Sequence, residues 1–253
     1  MTIKIELKDV SLDYPVYDYS ALSLQKAIVS LASAGSISRP KDGVVKVRSV
    51  DKLTLSLHAG DKLAIIGGNG AGKTSLLKLI AGIYEPSTGE RKVSGKITTI
   101  LGTGFGLDEE ATGYQNIILG GIALGYRLNE IKECVEDIAQ FSELGEFLNM
   151  PLRTYSAGMR ARLAFGVATC KHPDIVIIDE GIGAGDAHFI EKANERLECF
   201  LNNANIMIMA SHSDSLLEKF CNKCLYMKNG KALFLGELKE GLAMYKRDLE
   251  NYE

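Results

Sequence analysis

The residues with the clearest chemistry form one stretch, Gly67-Gly68-Asn69-Gly70-Ala71-Gly72-Lys73-Thr74. It fits G-x-x-x-x-G-K-[ST], a pattern that cradles phosphate. The β- and γ-phosphates of a nucleotide need several N–H donors converging on one small volume. Glycines let the backbone turn tightly and come close, with no Cβ in the way. A helix N-terminus adds unpaired N–H groups and a partial positive charge. Lys73 brings a full charge to the β/γ oxygens. The Thr74 hydroxyl is placed to ligate Mg²⁺, and Ser75 beside it belongs to the nucleotide-binding stretch.

The elements that must hold this loop are written on either side of it. Leu63-Ala64-Ile65-Ile66 is an apolar run of strand length, and Ser75 to Gly82 carries apolar residues at helical spacing with a Gly stop. A second run, Ile175-Val176-Ile177-Ile178, ends in Asp179-Glu180. A strand apolar throughout is buried on both faces, as in a parallel sheet covered by helices. Carboxylates at its C-terminal end lie where such sheets bind ligands. Asp179 is placed to hold Mg²⁺ through its shell. Glu180, on the opposite face of the strand, is placed to take a proton from an attacking water. A third apolar strand, Ile206 to Ala210, ends at Ser211-His212, and Ser156 is a good N-cap for a helix that follows it.

Other segments read less sharply. Ile3 to Val10 alternates as a half-buried strand that Ser11 to Pro15 ends, and Tyr14 is a candidate to stack on an adenine ring. Residues 16–48 read as an insertion, with a helix over 21–31 and a Ser/Ala/Gly-rich loop, before a strand at Leu53 to Leu57. Ile83 to Thr99 reads as short strands and hairpins. Tyr114 to Tyr126 reads as a helix, and Ile131 to Leu144 as one amphipathic helix, so that residues from about 115 to 165 form a helical subdomain. Lys228-Asn229-Gly230-Lys231 reads as a hairpin turn. Residues 238–253 read as a polar tail with a weak helical pattern.

The whole chain bounds these readings. At 253 residues and 46% hydrophobic composition, it should bury about 70–75% of its unfolded surface without help from disulfides or metals. Its five cysteines are an odd number, which suits a reducing cytoplasm. Cys221-Asn222-Lys223-Cys224 has redox or metal spacing but no second pair. A net charge of -3 with no long run of one sign argues against nucleic acid as a partner. No signal-peptide core opens the chain, and no run reaches the ~18 apolar residues of a spanning helix. A soluble chain is the expectation, with any membrane role coming through a partner.

Tyr155-Ser156-Ala157-Gly158-Met159 resembles the signature of the ATP-binding-cassette (ABC) ATPases, where Leu-Ser-Gly-Gly-Gln is usual. With the phosphate loop, the Asp179-Glu180 strand end, Gly183-Ala184-Gly185-Asp186 at the family's D-loop and His212 at its switch position, five motifs stand in the family's order. The resemblance implies a single α/β domain: an ABC-type P-loop ATPase with a mostly parallel core sheet, an antiparallel β part and a helical subdomain. It implies ATP and Mg²⁺, and a head-to-tail homodimer with two ATP between the copies. Ser156, Ala157 and the Gly158 N–H, with Asp186, would then meet the nucleotide held by the other subunit. Glu180 and His212 would be catalytic.

Tyr-Ser-x-Gly-Met in the signature, with Gly102-Thr103-Gly104-Phe105 before Thr112-Gly113-Tyr114-Gln115-Asn116-Ile117, looks like exporters of surface polysaccharide. Those serve O-antigen, capsule or teichoic acid. The resemblance implies an integral membrane permease as partner, a lipid-linked polysaccharide reached through it, and a seat on the cytoplasmic face of the membrane. The chain departs from the family at Thr99-Ile100-Leu101, where the Q-loop Gln would sit, and it ends early for a C-terminal glycan-binding domain. The alternatives are another exporter's ATPase, a soluble ABC ATPase of DNA repair or translation, and a nucleotide-gated dimer that scarcely turns over ATP.

Overall fold

The computed structural model describes residues 2–16, 36–38, 45–101, 106–179 and 187–250. Strands β1 (Lys4–Val16), β2 (Ser36–Ser38), β3 (Val45–His58) and β4 (Lys62–Ile66) precede helix α1 (Lys73–Ala81). Strands β5 (Thr88–Ser94) and β6 (Ile97–Leu101) lead into α2 (Gly113–Ala123), α3 (Leu128–Lys132), α4 (Val135–Ser142) and α5 (Ala157–Ala168). Then come β7 (Ile175–Asp179), α6 (Ala187–Asn202), β8 (Ile206–Ala210), α7 (Asp214–Phe220), β9 (Lys223–Lys228), β10 (Lys231–Glu237) and α8 (Leu238–Glu250). These divide into two compact units. One takes the described residues of Met1–Ile97, Ile177–Glu180 and Asn205–Glu253; the other takes those of Thr98–Val176 and Gly181–Ala204.

The first unit holds an antiparallel sheet in the order β2-β3-β1-β5. Alternation sets its register: Ile5 faces Leu57 and Leu7 faces Leu55 across β1 and β3, and all four are buried. The expected strand end at Pro15 is wrong. β1 runs on to Val16, with Tyr14 opposite Val47 and Val16 opposite Val45. Shifts of register between Leu7 and Asp13 absorb the breaks in its pattern. Pairing with β5 reaches only Ser11, so Pro15 lies where one flank of β1 has no ladder to lose. The strand expected at Leu53 to Leu57 is the second half of β3. Of the expected insertion, residues 17–35 and 39–44, including the helix at 21–31, lie outside the described residues.

In the other sheet of this unit, β4 runs parallel to β8 and to β9, and β10 closes antiparallel on β9. Strands β10, β9, β4, β8 and β7 lie side by side in that order. β8 is buried along its whole length, and β4 is buried after Lys62. Asn229 (φ 50°) and Gly230 (φ 78°) turn the β9–β10 hairpin, a left-handed pair that Asn-Gly adopts readily.

The tail is a docked helix, not a loosely patterned end. Leu238 and Leu242 of α8 are buried, and Asp248 accepts hydrogen bonds from Tyr226 Oη at 2.8 Å and Lys228 Nζ at 3.0 Å. These bonds hold the Asp248 carboxyl below its usual range, while burial pushes the Tyr226 phenol up to about 12. Residues 251–253 lie outside the described residues.

The second unit is built on helices around a core that includes Ile117, Ile131, Ile138, Leu148 and Leu163, with a second cluster at Phe141, Phe165, Phe189 and Ala193. The single helix expected from Ile131 to Leu144 is two, α3 and α4. At the break Cys134 N–H donates to Ile131 O at 3.0 Å, three residues back instead of four. The tightened turn keeps Ile131, Cys134 and Ile138 on the same core.

Burial pushes the thiols of Cys170, Cys221 and Cys224 up to about 12, whereas Cys199 is exposed. Thiolate is the reactive form. Iodoacetamide at pH 8 should therefore label Cys199 in the native protein and reach the other three only on unfolding, as peptide mass mapping would show. Fast native labelling of Cys221 and Cys224 would contradict this packing.

Candidate functional site

The phosphate loop leaves the buried end of β4 and enters α1 through backbone that L-residues avoid: φ is 146° at Gly67, 75° at Gly70 and 103° at Gly72. Two of these glycines also press against other strands. A Cβ on Gly67 would lie 2.2 Å from Met227 O, and one on Gly72 would lie 2.2 Å from Ser49 O. Ala71 N–H closes the loop on Gly68 O at 3.1 Å. Lys73 Nζ donates back to Gly67 O at 2.7 Å and Gly68 O at 3.2 Å, which draws the ammonium into the curve of the loop.

The helix end that this loop presents is open. Gly72 is the N-cap of α1 and offers no side-chain cap, and the first turn carries no acidic residue. First-turn N–H groups have no acceptor within their own helix. With the helix dipole and the Lys73 charge, they make a site for an anion of the size and charge of a nucleotide's phosphates. Thr74 is exposed at this turn, and the side chain of Asn69 belongs to the exposed crown of the loop.

Two supports of the loop were not legible in the chain. The tip of the β9–β10 hairpin props it: Gly230 N–H donates to Ala71 O at 3.0 Å, and Gly230 O accepts from Asp51 N–H at 2.8 Å. Asn-Gly signals a turn, but nothing local says what the turn leans on. Tyr14 is the second. Its Oη donates to Ser75 Oγ at 3.2 Å, and its ring meets Tyr84 edge to face at 5.4 Å. Tyr14, expected as an adenine platform, thus also fixes the start of α1.

His212 lies just beyond β8, exposed. Because β8 is parallel to β4, it leaves the sheet at the same edge as the phosphate loop. Asp179 ends β7, the next strand along, and is half-buried. Glu180 and Gly183 to Asp186 lie outside the described residues, as do Gly102 to Phe105.

In the second unit, Ser156 caps α5 with extended backbone (φ −65°, ψ 163°), and its Oγ accepts from Met159 N–H at 3.2 Å. That bond uses an oxygen lone pair, so the hydroxyl proton can still be donated. Ser156 and Ala157 are exposed. A Cβ on Gly158 would meet only Ser156 Oγ, at 3.9 Å, so this helix end is open too. Tyr155, where Leu is usual, is buried and donates to Phe147 O at 2.6 Å.

Residues 50–183 match the family model described as ABC transporter. The chain belongs to the ABC transporter family. It is 40% identical over 223 residues to the O-antigen export system ATP-binding protein RfbE of Yersinia enterocolitica, covering 88% of this chain and 93% of that one. It is 32% identical over 243 residues to the O-antigen export system ATP-binding protein RfbB of Klebsiella pneumoniae (96% and 97% covered). It is 30% identical over 253 residues to the teichoic acids export ATP-binding protein TagH of Staphylococcus epidermidis (100% and 92%). Among solved structures, a dimeric post-hydrolysis state of the ATP-binding cassette MJ0796 bound to ADP and Pi superposes with a TM-score of 0.65 at 20% identity, covering 92% of this chain and 98% of that one. That likeness carries the α/β cassette fold. As a member of this family the chain is an ATP-binding subunit whose ATPase activity is coupled to transport.

Gly72→Ala should be costly twice over, in left-handed strain of about 1–3 kcal/mol and in overlap with Ser49 O. A Cβ on Gly68 meets nothing within 4 Å. Thermal melts should show a clear loss of Tm for Gly72→Ala and little for Gly68→Ala. Equal losses would mean that the loop is not pinned as described.

Proposed function

We propose that this chain is the ATP-hydrolysing subunit of an exporter that moves a lipid-linked surface polysaccharide across the cytoplasmic membrane. O-antigen or capsule is the leading cargo, and teichoic acid is possible. The observation that carries the nucleotide reading is the uncapped start of α1 with its glycine cradle and Lys73 drawn into the loop. Such a cradle fits a triphosphate, and a side chain on Gly67 or Gly72 would destroy it. The names of the relatives, from O-antigen and teichoic acid export systems, support the cargo.

In this reading the amides of residues 68–75 and Lys73 hold the β- and γ-phosphates. Tyr14 stands beside the base. Thr74 and Asp179 would hold Mg²⁺, which neutralises charge on the β/γ oxygens when bound. Glu180 takes the proton of the attacking water, and His212 orients the γ-phosphate side of the site. Ser156, Ala157, Gly158 and Asp186 complete the site from a second copy, a reading that the two open helix ends support. Two copies sit head to tail on a membrane permease at the cytoplasmic face. No helix among the described residues is long and apolar enough to cross a membrane. In this reading the path for the glycan belongs to the permease. The loop from Gly102 to Thr112 or the segment over 16–48 touches that permease. Thr99-Ile100-Leu101 stand where the family's Q-loop Gln is usual, so coupling through that loop relies on other groups.

Glu180→Gln should bind ATP with unchanged affinity, lose turnover by about 10²-fold or more, and hold the dimer shut. Light scattering with ATP and Mg²⁺ reads the last point. A variant that stays monomeric removes the sandwich, and one that turns over at the wild-type rate favours a nucleotide-gated regulator. Co-purification from detergent-solubilised membranes, with mass spectrometry of the bound glycolipid, separates a polysaccharide exporter from an exporter of another cargo.

A further inference from the structure

Asn116 is a fully buried amide side chain in the second unit. It sits in the first turn of α2 with no exposed surface, although asparagine is mostly found exposed. Its amide spends every contact on one short loop. Oδ1 accepts from Asp108 N–H at 2.7 Å, and the two Nδ2 protons are shared among the carbonyls of Asp108, Ala111 and Thr112 at 2.9, 3.0 and 3.1 Å. With three carbonyls on one side and an N–H on the other, only one orientation of the amide satisfies them all. A buried amide bonded in this way dictates the shape of the loop around it.

That loop is laced to the chain just ahead of Ser156. Leu152 N–H donates to Ala111 O at 2.9 Å, Arg153 N–H to Glu109 O at 3.0 Å, and Gly113 N–H to Met150 O at 3.3 Å. Thr112 and Pro151 pair as an isolated antiparallel bridge. From the same loop, Glu110 pairs with Arg153, and Glu109 pairs with Arg160 at 2.7 Å, one arginine on each side of Ser156. Arg160 Nε also donates to Tyr155 O at 3.4 Å. The two ion pairs are exposed and contribute little each, so the buried amide and the backbone lattice carry the constraint.

We propose that Asn116 is a positioning residue for the open end of α5: through the 108–113 loop it sets where Ser156 and the Gly158 N–H stand. The proposal rests on the reading of Ser156 as a phosphate contact across the dimer. Donors aimed at an oxyanion lose most of their effect when displaced by about 1 Å. Asn116 touches no nucleotide, and the phosphate loop belongs to the other unit, so its effect falls on completing the sandwich and not on first binding.

The test is Asn116→Asp, which keeps the shape and turns two donors into an oxygen facing three carbonyls. Affinity for a fluorescent ATP analogue, measured on monomeric protein, should stay within about twofold. ATPase kcat should fall about tenfold or more with KM little changed. Dimer formation by Glu180→Gln with ATP should weaken when Asn116→Asp is added. Because Asn116 acts in part through Ser156, Asn116→Asp should cost clearly less kcat once Ser156→Ala is present than it does in the wild type, with the remainder carried by the Gly158 N–H. Losses that multiply, or a fall in analogue affinity at unchanged kcat, overturn the proposal. If Ser156→Ala alone leaves kcat intact, the reading of Ser156 has failed. If Ser156→Ala lowers kcat and Asn116→Asp does not, only the present inference has. Should Asn116→Asp fail to fold, Asn116→Ser is smaller and still bonds one carbonyl. It should show the same kcat split, with faster amide exchange over residues 150–156, and unchanged exchange there with wild-type kcat overturns the proposal.

Discussion

A helix has to begin somewhere, and its first N–H groups have no acceptor of their own. In most helices a serine, threonine or aspartate supplies one. At the start of α1 the cap is a left-handed glycine with no side chain to offer, and no acid stands in the first turn. The molecule keeps that deficit and surrounds it. Met227 O and Ser49 O crowd two of the glycines, the hairpin tip holds Ala71 O, and Lys73 adds a cation where dipole and amides already favour negative charge. These carbonyls, the hairpin tip and Tyr14 position this one electrostatic hole.

The second unit repeats the theme with a different cap. Ser156 does satisfy a first-turn N–H, yet it remains at an exposed, sterically open end. The two units therefore present two helix starts of different kinds. One is wrapped by a glycine loop and carries no side-chain cap. The other has a serine cap whose hydroxyl proton can still be donated, at an open end. Neither end is a complete site by its own geometry.

Much of this architecture was legible because its signals are local. Ala64 to Ile66 and Ile206 to Ala210 are apolar without interruption, so they had to be buried strands. Asn229-Gly230 had to be a turn, and the glycine spacing before Lys73 left few backbone paths. Where local pattern and structure differ, the cause is shared. A proline's cost to a ladder is real, but at Pro15 it depends on which flank is paired. The apolar spacing through Cys134 is continuous, yet a tightened turn serves the same core. The tail looked weakly patterned because its anchors, Tyr226 and Lys228, lie some twenty residues away.

By itself, the order of residues determined which chemistry is possible: a cradle for phosphate, a lysine to neutralise it, strand ends bearing Asp179 and His212, and a serine-capped helix. These follow from side-chain type, from glycine's freedom at positive φ and from periods of two and three to four residues, all of which act within one turn or strand. Only the folded chain decided what leans on what. That a hairpin tip at Gly230 braces the loop, that Tyr14 bonds Ser75, and that residues 109–113 bond to residues 150–153 ahead of Ser156 are contacts between residues far apart in the chain. Their bonds form only once hydrophobic burial has paid the entropy of closing those long loops, and no local pattern records the partner.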